Sequence, residues 1–173
     1  MNTIAAARRL AQLGQIQEAQ RAYALVLGED NTPAHRLEGA VYILQSGGSY
    51  KLSYTALLGL YQEGAFRDET LEIMTGAFYQ PNVRALRARY DKNCKALAKY
   101  PYLFRKDFLP FDQLPIQFYP YDDSGYLPFH REEGRFDGYV DVKTTVVSGN
   151  FFADLDKPVL AWEVFSQYEL EYL

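Results

Sequence analysis

The chain of 173 residues is poor in cysteine and has no long apolar run. Its one cysteine, Cys94, excludes an internal disulfide framework and a cysteine-cluster zinc site, and we expect it to pack on an apolar helix face. Neither a membrane-spanning helix nor a secretory signal is predicted, because the sequence has no apolar run or leader of the required kind. We therefore expect a cytoplasmic protein. Since 48% of its residues are hydrophobic, it can bury a core of its own.

The sequence also lacks the motifs that carry common enzyme chemistry. It contains no glycine-rich phosphate loop, no dinucleotide fingerprint and no nucleophile elbow. Asp122 and Asp123 could hold a hard cation, but the further oxygen ligands of a calcium loop are missing, so we interpret them as a turn. His130, Glu132 and Glu133 lack the helical HExxH spacing of a zinc site. We therefore predict no catalytic residue, no cofactor and no metal site.

Charge and composition change near residue 100. Residues 1–100 hold 12 basic and 9 acidic residues, whereas residues 101–173 hold 6 and 13, so the net charge changes from +3 to −7. Six of the eight prolines and 17 of the 27 aromatic residues follow Tyr100. Proline interrupts helices, and aromatic residues favour strands. The predicted fold is mainly α with a small β-containing part (α+β), a helical domain over residues 1–100 and an aromatic α+β region over 101–173 packed on it.

The first hundred residues show helical periodicity that is interrupted at glycine and proline. We expect Thr32 to cap a helix that has Pro33 in its first turn, and residues 47–52 to be irregular. The predicted helices cover residues 3–13, 15–28, 33–46, 53–63, 67–79 and 82–99. The predicted inward positions of the second and third helices are Ile16, Ala19, Ala22, Tyr23, Val26, Leu27, Leu37, Val41 and Leu44.

The segment LAQLGQIQEAQRAYALVLGEDNTP, residues 10–33, is the clearest repeat-like element. Gly14 breaks the helical pattern, and Ala19, Tyr23 and Val26 then follow at four-residue and three-residue steps before the closing proline. This pattern is similar to the tetratricopeptide repeat, whose second helix carries small, aromatic and small positions before a terminal proline. The resemblance covers residues 4–80. It implies antiparallel helix pairs that stack and leave a groove for a partner.

A second and looser match to the same repeat is ALLGLYQEGAFRDETLEIM. Gly64 takes the place of Gly14, and Tyr79-Gln80-Pro81 closes the unit. The match departs from the repeat at Thr70, where the family has a small residue, usually alanine. The resemblance therefore implies a short array of two degenerate units and a closing helix.

The predicted sixth helix has an apolar face and a basic face. The basic stripe could meet phosphate groups, an anionic lipid surface or the acidic second half of the chain, or it could be an ordinary solvated surface. Nucleic-acid binding is not predicted, because Asp91 interrupts the stripe and the whole chain is acidic. The apolar face holds Val83, Leu86, Tyr90, Cys94 and Leu97, and the basic face holds Arg84, Arg87, Lys92, Lys95 and Lys99.

The second half contains a β-hairpin signal. Residues 116–121 and 126–130 are short aromatic runs on either side of the turn sequence Asp-Asp-Ser-Gly. Pro120 and Pro128 lie inside these runs, and proline cannot donate to a ladder, so we expect both strands to be edges or irregular. Residues 134–147 are expected to add a further strand pair.

The end of the chain shows a helical pattern over residues 160–173, and the positions expected to pack inward are Val164, Tyr168 and Tyr172. A second resemblance involves YPYLFRKDF, FYPYDDSGYLPF and GNFFADLDKPVLAWEVFSQYELEYL. These segments look like the N-terminal region of uncharacterised bacterial proteins in which a helical-repeat segment precedes another domain, some linked to glycosyltransferase functions. This resemblance implies that the chain is the N-terminal part of a larger bacterial protein, and it carries no catalytic motif.

Two functions fit these patterns. The first is a non-catalytic interaction or scaffold module that binds a protein partner or the remainder of its own chain. The second is an accessory glycan-binding or substrate-binding domain of a carbohydrate-active enzyme, in which exposed aromatic rings stack on sugars beside carboxylates. The candidate contact residues are Arg84, Arg87, Lys92, Lys95, Lys99, Tyr119, Tyr121, Asp122, Asp123, Tyr126 and Trp162.

Overall fold

A computed structural model describes residues 3–28, 32–99, 108–122 and 125–141. The fold is α+β, with helices followed by a small antiparallel sheet, as predicted. The chain divides into a first compact unit, Met1–Ala77, and a second, Phe78–Leu173. The domain boundary predicted near residue 100 adjoins residues 100–107, and it stays a prediction because they lie outside the described residues. The predicted helix over 160–173 also lies outside them.

The first unit contains five α-helices that pack in chain order. Each helix contacts the next one along the chain, and the short connections require neighbouring helices to run in opposite directions. This arrangement confirms the predicted series of helices. The helices are α1 (Thr3–Gln12), α2 (Ile16–Gly28), α3 (Pro33–Gln45), α4 (Tyr50–Gln62) and α5 (Arg67–Met74).

Three of these helices end in the same glycine turn. Gly14, Gly47 and Gly64 have φ of 70°, 73° and 77°, and nothing lies within 4 Å of a Cβ built on any of them. In each turn the following residue donates its N–H to a carbonyl five residues back, as in a Schellman motif. The predicted equivalence of Gly14 and Gly64 is therefore confirmed, since both residues supply the left-handed backbone that the turn requires.

The core of the first unit combines small, aliphatic and tyrosine side chains. The repeat positions Ala19, Tyr23 and Val26 are all buried. Ile16 was expected to point inward, but this residue is 51% exposed, because it begins α2 beside the turn and has no helical turn before it. In α3 the expected Val41 and Leu44 are only half-buried, since the helix contacts both α2 and α4 and places other residues inward. The fully buried residues of α3 are Leu37, Gly39, Ala40 and Ile43.

A threonine and a serine cap the N-termini of two helices in the first unit. Thr32 Oγ1 accepts from the His35 N–H at 3.4 Å, which confirms the predicted cap of α3. Ser49 does the same for α4 by accepting from the Leu52 N–H at 3.3 Å. The prediction of an irregular segment up to Leu52 is therefore wrong, because α4 begins at Tyr50, immediately after this cap.

Glu38 links three helices of the first unit. Its carboxylate accepts from Arg8 Nε at 2.9 Å and Nη2 at 2.7 Å, both from α1, and from Tyr23 Oη of α2 at 2.9 Å. The Arg8 guanidinium, aided by the Tyr23 hydroxyl and partly opposed by burial, holds the pKa of Glu38 below its ordinary value. Burial, together with the bond to Glu38, raises the pKa of Tyr23. The three helices therefore share one charge-assisted cluster.

The chain continues helically from α5 into the second unit. A π-helical segment, Thr75–Tyr79, and a 3₁₀ turn, Gln80–Asn82, precede α6 (Val83–Leu97). The two predicted helices over residues 67–79 and 82–99 are observed, although the first ends in a π-helical segment, the second ends at Leu97, and a 3₁₀ turn occupies the predicted break between them. A further 3₁₀ turn, Phe111–Gln113, leads into the sheet.

The sheet of the second unit is built on the predicted hairpin. Strands β1 (Ile116–Pro120) and β2 (Gly125–His130) pair antiparallel, with Phe118 opposite Pro128. Two short strands, β3 (Arg135–Phe136) and β4 (Val140–Asp141), both pair with β2. Among the described residues β2 is therefore the central strand, and the prediction that both hairpin strands would be edges or irregular is wrong for β2.

A one-residue bulge explains how β2 accommodates Pro128. Between the pairs that β2 makes with β3 and with β4, two residues of β2 lie opposite three residues, Asp137–Tyr139, of the segment that joins β3 to β4. The missing N–H of Pro128 points to this side, because the neighbouring odd-numbered residues face β1. The Pro128 carbonyl accepts from the Asp137 N–H at 2.8 Å. The proline thus lies where the ladder is already interrupted.

Candidate binding site

Helix α6 separates its side chains as predicted. Val83, Leu86, Tyr90 and Cys94 are half-buried on one face, and none of the described α6 side chains is fully buried. The predicted basic stripe is exposed along the helix and just after it. It consists of Arg84, Arg87, Lys92, Lys95 and Lys99. The helix itself carries five basic residues and one acidic residue, Asp91, so it is a strongly cationic surface on an acidic chain.

Arg87 is already engaged with the second half of the chain. Its Nη2 lies 2.5 Å from Asp112 Oδ1, and its guanidinium carbon lies 5.1 Å from the centroid of the Phe111 ring. Its side chain is nevertheless 44% exposed. Arg87 therefore attaches the 3₁₀ turn to α6 and marks the edge of the basic stripe.

An aromatic cleft lies between α6, the 3₁₀ turn and the hairpin. Its volume is about 460 Å³ including its open mouth. Most of its walls are apolar, and three side chains, Arg89, Asn93 and Gln117, add polar groups. The apolar walls are formed by Tyr79, Leu86, Tyr90, Phe111, Leu114, Ile116, Phe118 and Tyr126.

Hydrogen bonds hold the cleft walls together. Arg89 Nη1 donates to Tyr126 Oη at 2.8 Å and so joins α6 to β2. Tyr90 Oη donates to the Leu109 carbonyl at 2.6 Å and joins α6 to the segment before the 3₁₀ turn. Arg131 follows the other end of β2, and its Nη1 donates to the Asp112 carbonyl at 2.7 Å. The walls therefore come from three elements that side chains fix to one another.

Tyr79 forms the aromatic floor between the cleft and the sheet. Its ring stacks on Tyr119 with centroids 5.1 Å apart, and Tyr119 makes edge contacts with Phe129 and Phe136. Burial raises the pKa of Tyr79, and the nearby Arg131 guanidinium offsets part of that increase. At neutral pH the Tyr79 phenol is therefore protonated, so it acts as a hydrogen-bonding group and not as a base.

The predicted hairpin contacts differ in exposure. Tyr119 is 1% exposed, so it is a core residue and cannot contact a partner in this fold. Tyr121 and Tyr126 are half-buried, and Asp122 is exposed. Asp123 and Trp162 lie outside the described residues. Of these candidates, the structure places Tyr126 in the cleft wall.

A separate surface cluster forms at the hairpin turn. Tyr139, 43% exposed, donates its hydroxyl to both carboxylate oxygens of Asp122 at 3.0 Å. Its ring meets Tyr121 edge to face at 5.4 Å. A partly exposed pair of tyrosines therefore lies beside a carboxylate at this end of the sheet.

His130 belongs to a charged cluster at the turn between β2 and β3. Its Nε2 lies 2.7 Å from Asp137 Oδ2, and its Nδ1 lies 3.9 Å from Glu133 Oε1. Arg135 contacts both carboxylates. Within the described part of the chain, no group of three or more His, Cys, Asp or Glu residues is arranged to hold a metal ion. The cluster fixes a tight turn that ends at Gly134, whose φ is 61°.

Most cleft residues were not predicted from the sequence. Arg89 and Asn93 lie on the sides of α6 between the apolar and basic faces, so a division into two faces assigned them to neither. Phe111, Leu114 and Gln117 approach the helix only through tertiary packing. Ile116, Gln117 and Phe118 all line the cleft, although successive side chains of a strand point to opposite faces, so strand periodicity could not indicate them together.

Comparison of the chain with protein-family models, with curated proteins and with solved structures gives no match. None of the helices in the described ranges has both the length and the apolar character needed to cross a membrane.

Proposed function

We propose that this chain is a non-catalytic, cytoplasmic protein-interaction module and the N-terminal part of a larger bacterial protein. The observation that carries this proposal is the pairing of an exposed basic helix face with an adjacent aromatic cleft in the second unit. The resemblance of residues 4–80 to the tetratricopeptide repeat, and the packing of α1–α5 in series, support the same function.

The two parts of this surface contribute to binding in different ways. Exposed cations on α6 attract an acidic partner and speed its association, although each rim charge adds little affinity. Aromatic and aliphatic walls supply the apolar area that anchors a partner side chain, and Tyr and Arg are enriched at such anchors. The geometry therefore favours recognition of a protein surface over chemistry on a small substrate.

A matched pair of charge reversals tests the proposal. Lys92→Glu/Lys95→Glu changes the basic face of α6, and Arg9→Glu/Arg21→Glu makes the same change in net charge on exposed positions of the first unit. Proteins captured from native bacterial lysate by each immobilised variant would be quantified by mass spectrometry. We expect the α6 variant to lose a specific partner that the control retains. Equal capture by both variants would contradict the proposal.

The tyrosine cluster at the hairpin turn favours a second candidate, glycan binding. Tyr139 and Tyr121 offer partly exposed rings beside Asp122, which is the arrangement that stacks on sugar rings and accepts their hydroxyl protons. Glycan-array binding that is lost in Tyr139→Ala but kept in Tyr139→Phe would support this candidate. An array with no specific signal for the wild-type protein would reject it.

A further inference from the structure

The charges around the aromatic cleft are unevenly distributed. Three guanidiniums border it, from Arg87 stacked on Phe111, Arg89 in the wall and Arg131 at the end of β2. The neighbouring carboxylates are Asp112, which is paired with Arg87, and Asp91, one helical turn from Arg87. Among the described residues that line the cleft or contact its walls, three guanidiniums therefore stand against these two carboxylates, and Lys92 and Lys95 lie on the same helix.

Arg89 is the cation best placed to receive a ligand. A guanidinium has five N–H donors in a planar fork. Arg89 donates from Nη1 to the Tyr126 hydroxyl. That bond fixes the orientation of the side chain while the residue stays exposed. A fixed guanidinium with donors still available matches a carboxylate, which it can bind with two parallel hydrogen bonds.

The cleft walls indicate which group the ligand carries besides a carboxylate. The space between them, counted with the open solvent at the mouth, is about 460 Å³, so the cleft is a small, open groove and not an enclosed pocket. Phe111 and Tyr90 are half-buried rings 5.8 Å apart, and Leu86 and Leu114 add aliphatic surface. Such walls offer an apolar surface on which one aromatic side chain can lie, and they are too small for a whole helix.

These features favour a peptide over a nucleic acid or a lipid surface. Nucleic-acid sites combine open stacking rings with an unbroken basic track for evenly spaced phosphates. Among the described residues, Asp91 and Asp112 lie between the arginines, so the unbroken basic track that evenly spaced phosphates require is interrupted. A carboxylate next to an aromatic side chain fits both the single oriented guanidinium and the walls.

We infer that the cleft binds an acidic peptide segment of a partner protein, with one aromatic side chain between α6 and the hairpin and a neighbouring carboxylate on Arg89. This inference rests on the proposed interaction function and names the chemistry of its partner. It also explains why the apolar face of α6 stays half-buried in a chain whose other helices bury theirs.

The inference is tested by titrating the full chain, labelled with nitrogen-15, with unlabelled peptides that have blocked ends. The probes are Asp-Glu-Phe-Asp-Glu, the same peptide with alanine in place of phenylalanine, and Lys-Arg-Phe-Lys-Arg. We expect the first peptide to shift amide resonances of α6 and β1. The alanine peptide should bind about tenfold more weakly, because it lacks the anchor, and the basic peptide should not bind.

Variants of α6 locate the contact. Arg89→Ala should weaken binding of the acidic aromatic peptide by about tenfold, the usual effect of losing one charge-assisted contact. Arg21→Ala makes the same change at an exposed position of the first unit and should leave the affinity within about twofold. Arg89→Lys keeps the charge, provides a second variant if alanine perturbs the fold, and should recover only part of the affinity.

Several outcomes would overturn the inference. These are equal binding of the phenylalanine and alanine peptides, an equal loss in Arg21→Ala and Arg89→Ala, or tighter Arg89-independent binding of single-stranded oligonucleotide or anionic lipid vesicles. If no peptide binds while Lys92→Glu/Lys95→Glu still abolishes capture of a partner, the inference fails and the proposed function stands. If capture is also unaffected, both fail.

Discussion

The two units of the chain bury their helices to different extents. Each helix of the first unit has at least two buried residues, and α4 has five: Ser53, Tyr54, Leu57, Leu60 and Tyr61. Helix α6 of the second unit is longer, at 15 residues, yet none of its described side chains is fully buried. The second unit instead buries side chains of its small sheet, among them Tyr119, Leu127 and Phe129.

This difference indicates a division of roles. Helices α1–α5 pack their apolar stripes on one another, and that packing is what a stacked series of helices needs for stability. Helix α6 leaves its stripe half-buried beside the aromatic cleft and exposes cations on its other face. The first unit is therefore the framework, and the second carries the surface that we propose to be the contact.

The largest effect is expected when one leucine in each unit is replaced by alanine. Leu57→Ala empties a fully buried position in α4 and should lower the free energy of unfolding by about 3 kcal/mol. Leu86→Ala removes a half-buried side chain of α6 and should cost about 1 kcal/mol. Urea denaturation followed by circular dichroism measures both. Equal losses would show that α6 is as much a core helix as α4.

Alanine substitutions at two glycines of the first unit distinguish backbone strain from side-chain packing. Gly64 has φ of 77° and Gly59 lies inside α4, and a Cβ on either would meet nothing within 4 Å. Gly64→Ala should destabilise the unit by about 1 kcal/mol, because alanine disfavours the left-handed backbone. Gly59→Ala should stabilise it by about 1 kcal/mol, because alanine favours helix. Effects of the same sign in thermal denaturation would contradict the turn geometry.

The hydroxyl of Tyr23 tests the polar link between α1, α2 and α3. Tyr23→Phe keeps the buried ring and removes the bond to Glu38, so the free energy of unfolding should fall by about 1 kcal/mol. The same change at Tyr126, which bonds the exposed Arg89 in the second unit, should have a smaller effect. A larger loss at Tyr126 would reverse the proposed roles of the two units.

Acid should weaken the framework through Glu38. Its folded pKa lies below the ordinary value of 4.5, so the unfolded chain binds more protons as the pH falls through that region. The contribution of Glu38 is therefore complete above about pH 5 and is lost as the pH falls through its folded pKa. Glu38→Gln should flatten this part of the stability profile, whereas Glu18→Gln, at an exposed position of α2, should not. Identical profiles would exclude the cluster as a source of acid sensitivity.

The smallest effect is expected on the surface. Lys92→Glu/Lys95→Glu should change the free energy of unfolding by less than about 0.5 kcal/mol, because both side chains are exposed on α6. Denaturation curves that match the wild type would show that lost binding in this variant is a surface effect. A large destabilisation would show that the basic face supports the fold.

Local signals in the sequence account for the elements that were predicted correctly. Thr32 with Pro33 caps α3, Gly14 and Gly64 turn the chain, and the two aromatic runs on either side of the Asp-Asp-Ser-Gly sequence pair as β1 and β2. The faces of α6 also follow from helical spacing alone. Each of these features depends on nearest neighbours along the chain, and so it is encoded in a short segment.

The features that sequence reasoning missed depend on distant neighbours or on one unrecognised cap. The position of β2 as a central strand depends on β3 and β4 adding to the hairpin, with a bulge at Pro128. The cleft depends on α6 meeting the 3₁₀ turn and β1, which no periodicity reports. The start of α4 was missed because Ser49 lies in a segment that was interpreted as irregular.

The most direct test of the division between framework and contact surface is hydrogen–deuterium exchange of the full chain with and without the partner captured by the wild-type protein. We predict that the partner slows exchange in residues 83–97 and 111–120 and leaves residues 3–62 unchanged. Slower exchange confined to residues 3–62 would contradict the account and place the contact surface on the first unit.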